Sequence, residues 1–169
     1  MRIPKRQLAA KSITIDDVDS FGKIQKLSAT GNYIPMPETR FKAGVAKLLG
    51  EQGSFKDWGG ESRDLSSTRL KIGGRRRTAA FAFKGPGTKG KLTPGKMGKN
   101  GDQIQRLIRC PADVFFVQYW AEIDDAVIEQ LRSFAELRSY FEQREIFFGI
   151  IDGVDSERLI RAYPDVFKV

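Results

Sequence analysis

The fold is decided by residues 78–84, Thr-Ala-Ala-Phe-Ala-Phe-Lys, which are followed at once by Gly-Pro-Gly. Their strict alternation predicts a half-buried β-strand. The two phenylalanines then point towards a core, whereas the alanines between them and Lys84 point to the other face. Because small residues leave room beside a terminal lysine, we expect this second face to form the floor of a binding site.

Length and composition limit the class of protein. A chain of 169 residues with 40% hydrophobic and 30% charged residues is typical of a soluble globular domain. We expect an α/β domain over 37–169, with residues 1–36 as an N-terminal extension packed on the core. No apolar run approaches the ~18 residues of a membrane span, and the N-terminus lacks a signal-peptide pattern. The lone Cys110 indicates a reducing compartment, so we expect a cytoplasmic protein with no membrane partner.

The chain contains no histidine. This excludes histidine-dependent nucleases, Ser-His-Asp hydrolases and His-ligated zinc enzymes. Any catalysis must therefore come from carboxylates, lysine, hydroxyl groups and a hard metal ion.

Positive charge is concentrated in one part of the chain. Residues 69–109 hold twelve Lys and Arg against one acid, Asp102, so the net charge of this segment is +11. The rest of the chain carries −3, which gives the whole chain its net charge of +8. Such segregation favours a polyanionic partner, although a lysine-rich solubility loop is the alternative interpretation. The predicted nucleic-acid contacts are Arg75, Arg76, Arg77, Lys89, Lys91, Lys96, Lys99 and Arg106.

Hydrophobic periodicity and turn signals predict the order of elements. Helices are expected over 37–52, 100–110, 123–142 and 156–163, and strands over 64–72, 75–84, 113–120 and 146–151. Asn100 is the expected cap of the second helix. The third helix should bury a stripe formed by Val127, Leu131, Phe134, Leu137 and Phe141. This order predicts an α/β sandwich whose mixed central sheet has a hairpin on one side and crossover strands on the other.

The loop over 85–101 contains six glycines, two prolines and four lysines. Its first seven residues match a phosphate-binding P-loop, but Leu92 stands where a Mg²⁺-binding Ser or Thr is needed, so we reject that motif. Long loops in compact domains are usually functional or disordered. We expect a mobile cationic loop that closes over a phosphate backbone.

A family resemblance rests on four features. A helix carrying Phe-Lys-Ala-Gly-Val-Ala-Lys-Leu-Leu-Gly-Glu-Gln-Gly over 41–53 precedes an aspartate at a strand start, Asp64. A second strand then ends in Lys84, and a helix and an apolar strand follow. Over residues 37 to about 151, this pattern resembles the PD-(D/E)XK nuclease superfamily, and most of all its Mrr-like restriction endonuclease branch. The resemblance implies a restriction-endonuclease-like sandwich.

The resemblance also implies a site. Asp64 corresponds to the metal-binding aspartate, Lys84 to the catalytic lysine and Glu38 to the helix glutamate, with Glu61 as a less regular substitute. The implied cofactor is Mg²⁺ or Mn²⁺. The acid of the (D/E)XK motif, often glutamine in the Mrr branch, is replaced by Ala82.

The gap at position 82 leaves two ways to complete the site. Mg²⁺ tolerates one or two carboxylates with water filling the other positions, so Asp64 and a glutamate can suffice. Alternatively, Asp102 or Gln103, beyond the loop, can supply the missing oxygen.

Three functions therefore remain open. The first is a metal-dependent DNA endonuclease, with defence against foreign DNA as the role that the resemblance implies. The second is a catalytically inactive nuclease-like domain that binds DNA or RNA, and the third is an assembly protein that docks on an acidic protein. Double-stranded DNA is the expected partner, and a homodimer is left open.

Overall fold

A computed structural model describes residues 10–51 and 64–168. Glu61 and the first nine residues of the predicted N-terminal extension lie outside the described residues. In the part described, five strands form one sheet: β1 (Lys11–Ser12), β2 (Leu65–Ile72), β3 (Arg75–Lys84), β4 (Val114–Tyr119) and β5 (Phe147–Ile151). The α-helices are α1 (Glu38–Leu48), α2 (Gln103–Ile108), α3 (Asp125–Glu142), α4 (Gly153–Ala162) and α5 (Pro164–Phe167).

The strand order is β1-β5-β4-β3-β2, and the sheet is mixed. The four strands β1, β5, β4 and β3 are parallel to one another, whereas β2 is antiparallel to β3. Gly73 and Gly74 both have positive φ, as a tight hairpin between β2 and β3 requires. The predicted α/β class, the hairpin and the crossover strands are thus confirmed.

Both faces of the sheet are covered. Phe81 and Phe83 lie on the face that packs against α1, where the Phe41 ring lies 6.0 Å from the Phe83 ring. Ala80 and Ala82 lie on the other face, in a second apolar cluster with α2 and α3. Ala82 is 0% exposed, so the expectation of open space above it is wrong. The physical reason is that helical crossovers between parallel strands place helices on each face of the sheet.

The sequence predicts only that the N-terminal segment packs on the core, but the segment also adds a strand to the sheet. Its strand β1 extends the sheet by pairing with β5. Two 3-10 helices, Ile15–Asp17 and Asp19–Lys26, then place Ile15, Phe21 and Ile24 in the core beneath α1 and α4.

The helices α2 and α3 begin at residues other than those predicted from the sequence, and in each case the N-cap residue marks the start. α3 begins at Asp125 because the Asp124 side chain accepts from the Ala126 N–H at 2.8 Å. α2 begins at Gln103, so the predicted cap at Asn100 is wrong and Asp102 holds that position.

The predicted buried stripe of α3 is correct only in its first half. Val127 and Leu131 are buried, but Leu137 and Phe141 are 53% and 73% exposed. Burial continues instead through Ala135 and Ser139, in steps of four residues. Leu137 and Phe141 instead line an open cleft together with Ile108 and Arg109.

None of the helices in the described part of the chain has the length and apolarity that crossing a membrane requires.

Candidate functional site

The C-terminal end of β3 meets the first turn of α1. Gly85, the residue after β3, approaches α1 so closely that a Cβ there would lie 2.8 Å from the backbone nitrogen of Glu38. Its backbone N–H also lies close enough to the Glu38 carboxyl to lower the pKa of that group. The side chain of Glu38 is thereby held beside the end of the strand that carries Lys84.

Asp64 is placed at the same end by the hairpin. β2 begins at the next residue, Leu65, which pairs with Phe81. The Asp64 N–H donates to the Phe81 carbonyl at 2.9 Å, and its Oδ2 atom accepts from the Phe83 N–H at 2.6 Å. The carboxylate is therefore fixed on the backbone one residue before Lys84.

The electrostatics of Glu38 report the proximity of these groups. Burial raises the pKa of the Glu38 carboxyl, and the negative charge of Asp64 raises it further. The positive charge of Lys84 opposes both effects and lowers it. The structure thus brings together Glu38, Asp64 and Lys84, three residues that the sequence singled out.

A cleft of about 410 Å³ opens beside this trio. It is lined by Pro37 and Glu38 from the start of α1 and by residues 84–88. In open α/β sheets, ligands bind outside the carboxyl ends of parallel strands, and this cleft lies at that edge, next to the end of β3.

Glu38 is the one predicted oxygen donor among the described residues that lines the cleft, whereas Asp64, Asp102 and Gln103 do not line it. Asp102 forms an ion pair with Arg106 at 3.2 Å, one turn along α2. Gln103 is buried, and its Oε1 atom has no hydrogen-bond partner. Within residues 10–51 and 64–168, no group of three or more Cys, Asp or Glu can hold a metal. The described site therefore offers two carboxylates, Glu38 and Asp64.

The loop after β3 is anchored to the domain, so the expectation of a mobile loop is wrong. Tyr119 Oη donates to the Thr88 and Gly90 carbonyls, at 3.0 and 2.5 Å. Trp120 Nε1 also donates to Thr88, at 3.3 Å. Leu92 is buried and exchanges backbone hydrogen bonds with 122 and 124. These contacts come from the end of β4 and the segment after it, and no local pattern in the loop predicts them.

Half of the eight predicted nucleic-acid contacts are engaged within the protein. Arg77 pairs with Glu145 at 3.2 Å, and Lys91 pairs with Glu122 at 3.2 Å. Lys96 donates to two loop carbonyls, at 2.7 and 2.9 Å, and Arg106 is held by Asp102. The remaining four are exposed and have no carboxylate within 4 Å among the described residues: Arg75, Arg76, Lys89 and Lys99.

These exposed cations do not form one patch. Arg75 and Arg76 begin β3, and Lys84 ends it. Eight residues at about 3.3 Å per residue place Arg76 roughly 26 Å from Lys84 along the strand. Arg75 and Arg76 therefore lie at the opposite end of the strand from the carboxylates.

The site also depends on Gly85, which sequence reasoning treated only as part of the loop. Its signal was a glycine directly after a strand, a position that often marks close backbone approach.

No family model, curated protein or solved structure matches this chain.

Proposed function

We propose that the protein is a metal-dependent endonuclease acting on DNA, with a restriction-endonuclease-like sandwich and a PD-(D/E)XK-type site. The observation that carries this proposal is the convergence of Glu38, Asp64 and Lys84 at the end of β3. Phosphodiester hydrolysis needs charge stabilisation at the phosphate and an activated water. Two carboxylates and an ammonium group have the chemistry for that task.

The donor set fits a hard divalent cation. Glu38 and Asp64 are close enough for their charges to repel, as the raised pKa of Glu38 indicates. Mg²⁺ prefers oxygen ligands and needs only one or two carboxylates beside its waters. When bound there, Mg²⁺ or Mn²⁺ would lower the pKa of a water and offset charge on the phosphate.

The protein's own groups would position the reaction. The Phe83 N–H holds one oxygen of Asp64, so the carboxylate cannot rotate freely. Glu38 lies beside Gly85, whose backbone N–H lowers the pKa of the Glu38 carboxyl. Lys84 is half-buried at the edge of the cleft, where its ammonium group would donate to a phosphate oxygen or to the attacking water.

The second candidate is a nuclease-like domain that binds nucleic acid without cleaving it. Ala82, in the place of the motif acid, favours this alternative because it offers no ligand and is fully buried. Under this alternative, Lys84 would contact phosphate without chemistry.

A plasmid-nicking assay separates the two. Purified full-length protein is incubated with supercoiled plasmid and Mg²⁺, Mn²⁺ or chelator. Relaxed or linear product that needs the metal supports the endonuclease. Salt-sensitive binding to the plasmid, with no product under either metal, supports the binding domain and overturns the endonuclease proposal.

A further inference from the structure

A second cleft lies at the other end of α1. It has a volume of about 480 Å³ and is bounded by the last turn of α1, the β2–β3 hairpin and the start of the 3-10 helix at Asp19. Four of its lining residues are cationic and exposed: Lys47, Arg69, Lys71 and Arg76. We call this group the hairpin cations.

The acid that lines this cleft is already engaged. Asp19 Oδ2 accepts from the Gly74 N–H in the hairpin turn at 2.6 Å. A backbone bridge between Val18 and Ile72 reinforces the contact. Asp19 therefore fixes the hairpin against the domain, and none of the hairpin cations has a carboxylate within 4 Å in the described part of the chain.

Two of the hairpin cations face each other across the ladder. Lys71 and Arg76 are direct register partners in the antiparallel β2–β3 pair. Like charges directly opposite each other destabilise a sheet. An uncharged polar residue at either position would make the fold more stable than this pair of like charges does. The pair therefore indicates that Lys71 and Arg76 have a role outside folding.

Several other arginines of the domain form ion pairs. Arg144 contacts Asp113 at 2.9 Å, and Arg158 contacts Asp16 at 2.7 Å. One cation at the cleft can offset the partial negative charge at the C-terminal end of α1. The helix end needs no further positive charge, so the charge of the other three cations is available for an anionic ligand.

We infer that this cleft binds the phosphate backbone of the nucleic acid whose scissile phosphate lies beside Glu38, Asp64 and Lys84. The inference rests on the proposed function, because that function places the scissile phosphate of the same nucleic acid beside Lys84. A nucleic acid is favoured over an anionic membrane because the described lining contains no aromatic residue and its Leu49 is buried. The surface is also concave, as a phosphate ridge requires.

The spacing of the two clefts suits a duplex. Glu38 and Lys47 lie at opposite ends of α1, and nine residues at 1.5 Å per residue separate them by about 14 Å. Along β3 the separation of Lys84 from Arg76 is roughly 26 Å. At about 3.4 Å per base pair, this range corresponds to roughly four to eight base pairs.

The test compares two double variants of the full-length protein. Lys71→Thr with Arg76→Thr removes the opposed pair and keeps residues that suit strands. Lys26→Ala with Arg109→Ala is the control, since both residues are exposed and line neither cleft. Binding to a labelled 16-base-pair duplex is measured by fluorescence anisotropy in chelator, across a series of salt concentrations.

We expect the hairpin variant to bind at least about tenfold more weakly at 0.1 M salt, with the slope of log affinity against log salt smaller by about 2. Its melting temperature at low salt should be unchanged or higher, because a repulsion is removed. The control should stay within about twofold of the wild type. Equal binding by both double variants overturns the inference, as does a hairpin variant that binds weakly only because its melting temperature has fallen.

Two further arms separate the alternatives. Vesicles containing phosphatidylglycerol should bind the wild-type protein no better than neutral vesicles, and vesicle binding that depends on Lys71 and Arg76 overturns the nucleic-acid assignment. Cleavage is scored separately. If duplex binding depends on the hairpin cations but no metal produces nicks, the inference stands and the endonuclease fails. If nicks form while the hairpin variant binds like wild type, the endonuclease stands and the inference fails.

Discussion

Asp64 Oδ2 accepts a hydrogen bond from the Phe83 backbone N–H at 2.6 Å, so the start of β2 is tied to the end of β3. The bond fixes a carboxylate beside Lys84 without help from distant parts of the chain. A short bond from a backbone N–H also orients the carboxylate.

Asp64→Asn is expected to abolish metal-dependent cleavage and to leave the fold intact. The amide oxygen can still accept from Phe83, but the ligand charge is lost. Binding to duplex DNA in chelator should be unchanged or tighter, because one repulsion from phosphate is removed. The measurements are plasmid nicking and fluorescence anisotropy.

Asp165→Asn is the matched control, because Asp165 is exposed on α5. This variant should nick plasmid like the wild type. Wild-type cleavage by Asp64→Asn itself would contradict the site.

Glu38→Gln is expected to stabilise the protein at neutral pH while removing cleavage. Burial and Asp64 raise the pKa of Glu38 in the folded state, so between its ordinary pKa and the raised value the folded state binds more protons than the unfolded state. Stability therefore falls as pH rises through that window. The amide does not ionise, so the variant should gain stability over the wild type as pH rises from about 4 to 7.

Urea denaturation at several pH values measures this effect. Glu136→Gln is the control, since Glu136 is exposed on α3 and should show no gain. A stability difference between Glu38→Gln and wild type that does not grow with pH would contradict the raised pKa that burial and Asp64 give Glu38.

Gly85→Ala is expected to separate α1 from the strand end. The new Cβ would lie 2.8 Å from the Glu38 nitrogen and 3.1 Å from its Cβ, so the helix must shift. Overpacking of this kind costs about 1–3 kcal/mol, and cleavage should fall because Glu38 moves with the helix. Gly87→Ala is the control, since a Cβ there meets nothing within 4 Å. Equal denaturation midpoints and equal nicking by the two variants would contradict the close approach.

Local patterns were sufficient to predict the strands β2 to β5, whereas the family resemblance assigned Glu38 to the site. Alternation over 78–84 and the Gly73-Gly74 signal specify the hairpin, and the hairpin alone brings Asp64 to Lys84. β1 escaped prediction because two residues have no period. The exposed end of α3 escaped it because helical periodicity does not show which part of an apolar face a neighbouring element covers.

Long-range contacts explain the remaining differences in the site. Tyr119 and Trp120 anchor the loop but lie outside it, so the composition of the loop does not predict these contacts. The sequence shows that positive charge is concentrated, but it does not show that Arg77 and Lys91 are neutralised by Glu145 and Glu122. The predicted strand over 75–84 has the same bounds as β3, so the distance between Arg76 and Lys84 does follow from the sequence.

Ala82→Glu tests the position where the resemblance places an acid. Ala82 is 0% exposed and belongs to the apolar cluster beneath α2 and α3. A carboxylate there must be desolvated or held protonated, so we expect a loss of about 3 kcal/mol in unfolding free energy and no gain in cleavage with Mg²⁺ or Mn²⁺. Ala82→Gln is the neutral control of similar size: a smaller loss of stability would assign the difference to charge. Increased metal-dependent nicking by Ala82→Glu would instead show that the new carboxylate reaches the metal position beside Asp64, and that the native chain is a nuclease lacking one ligand.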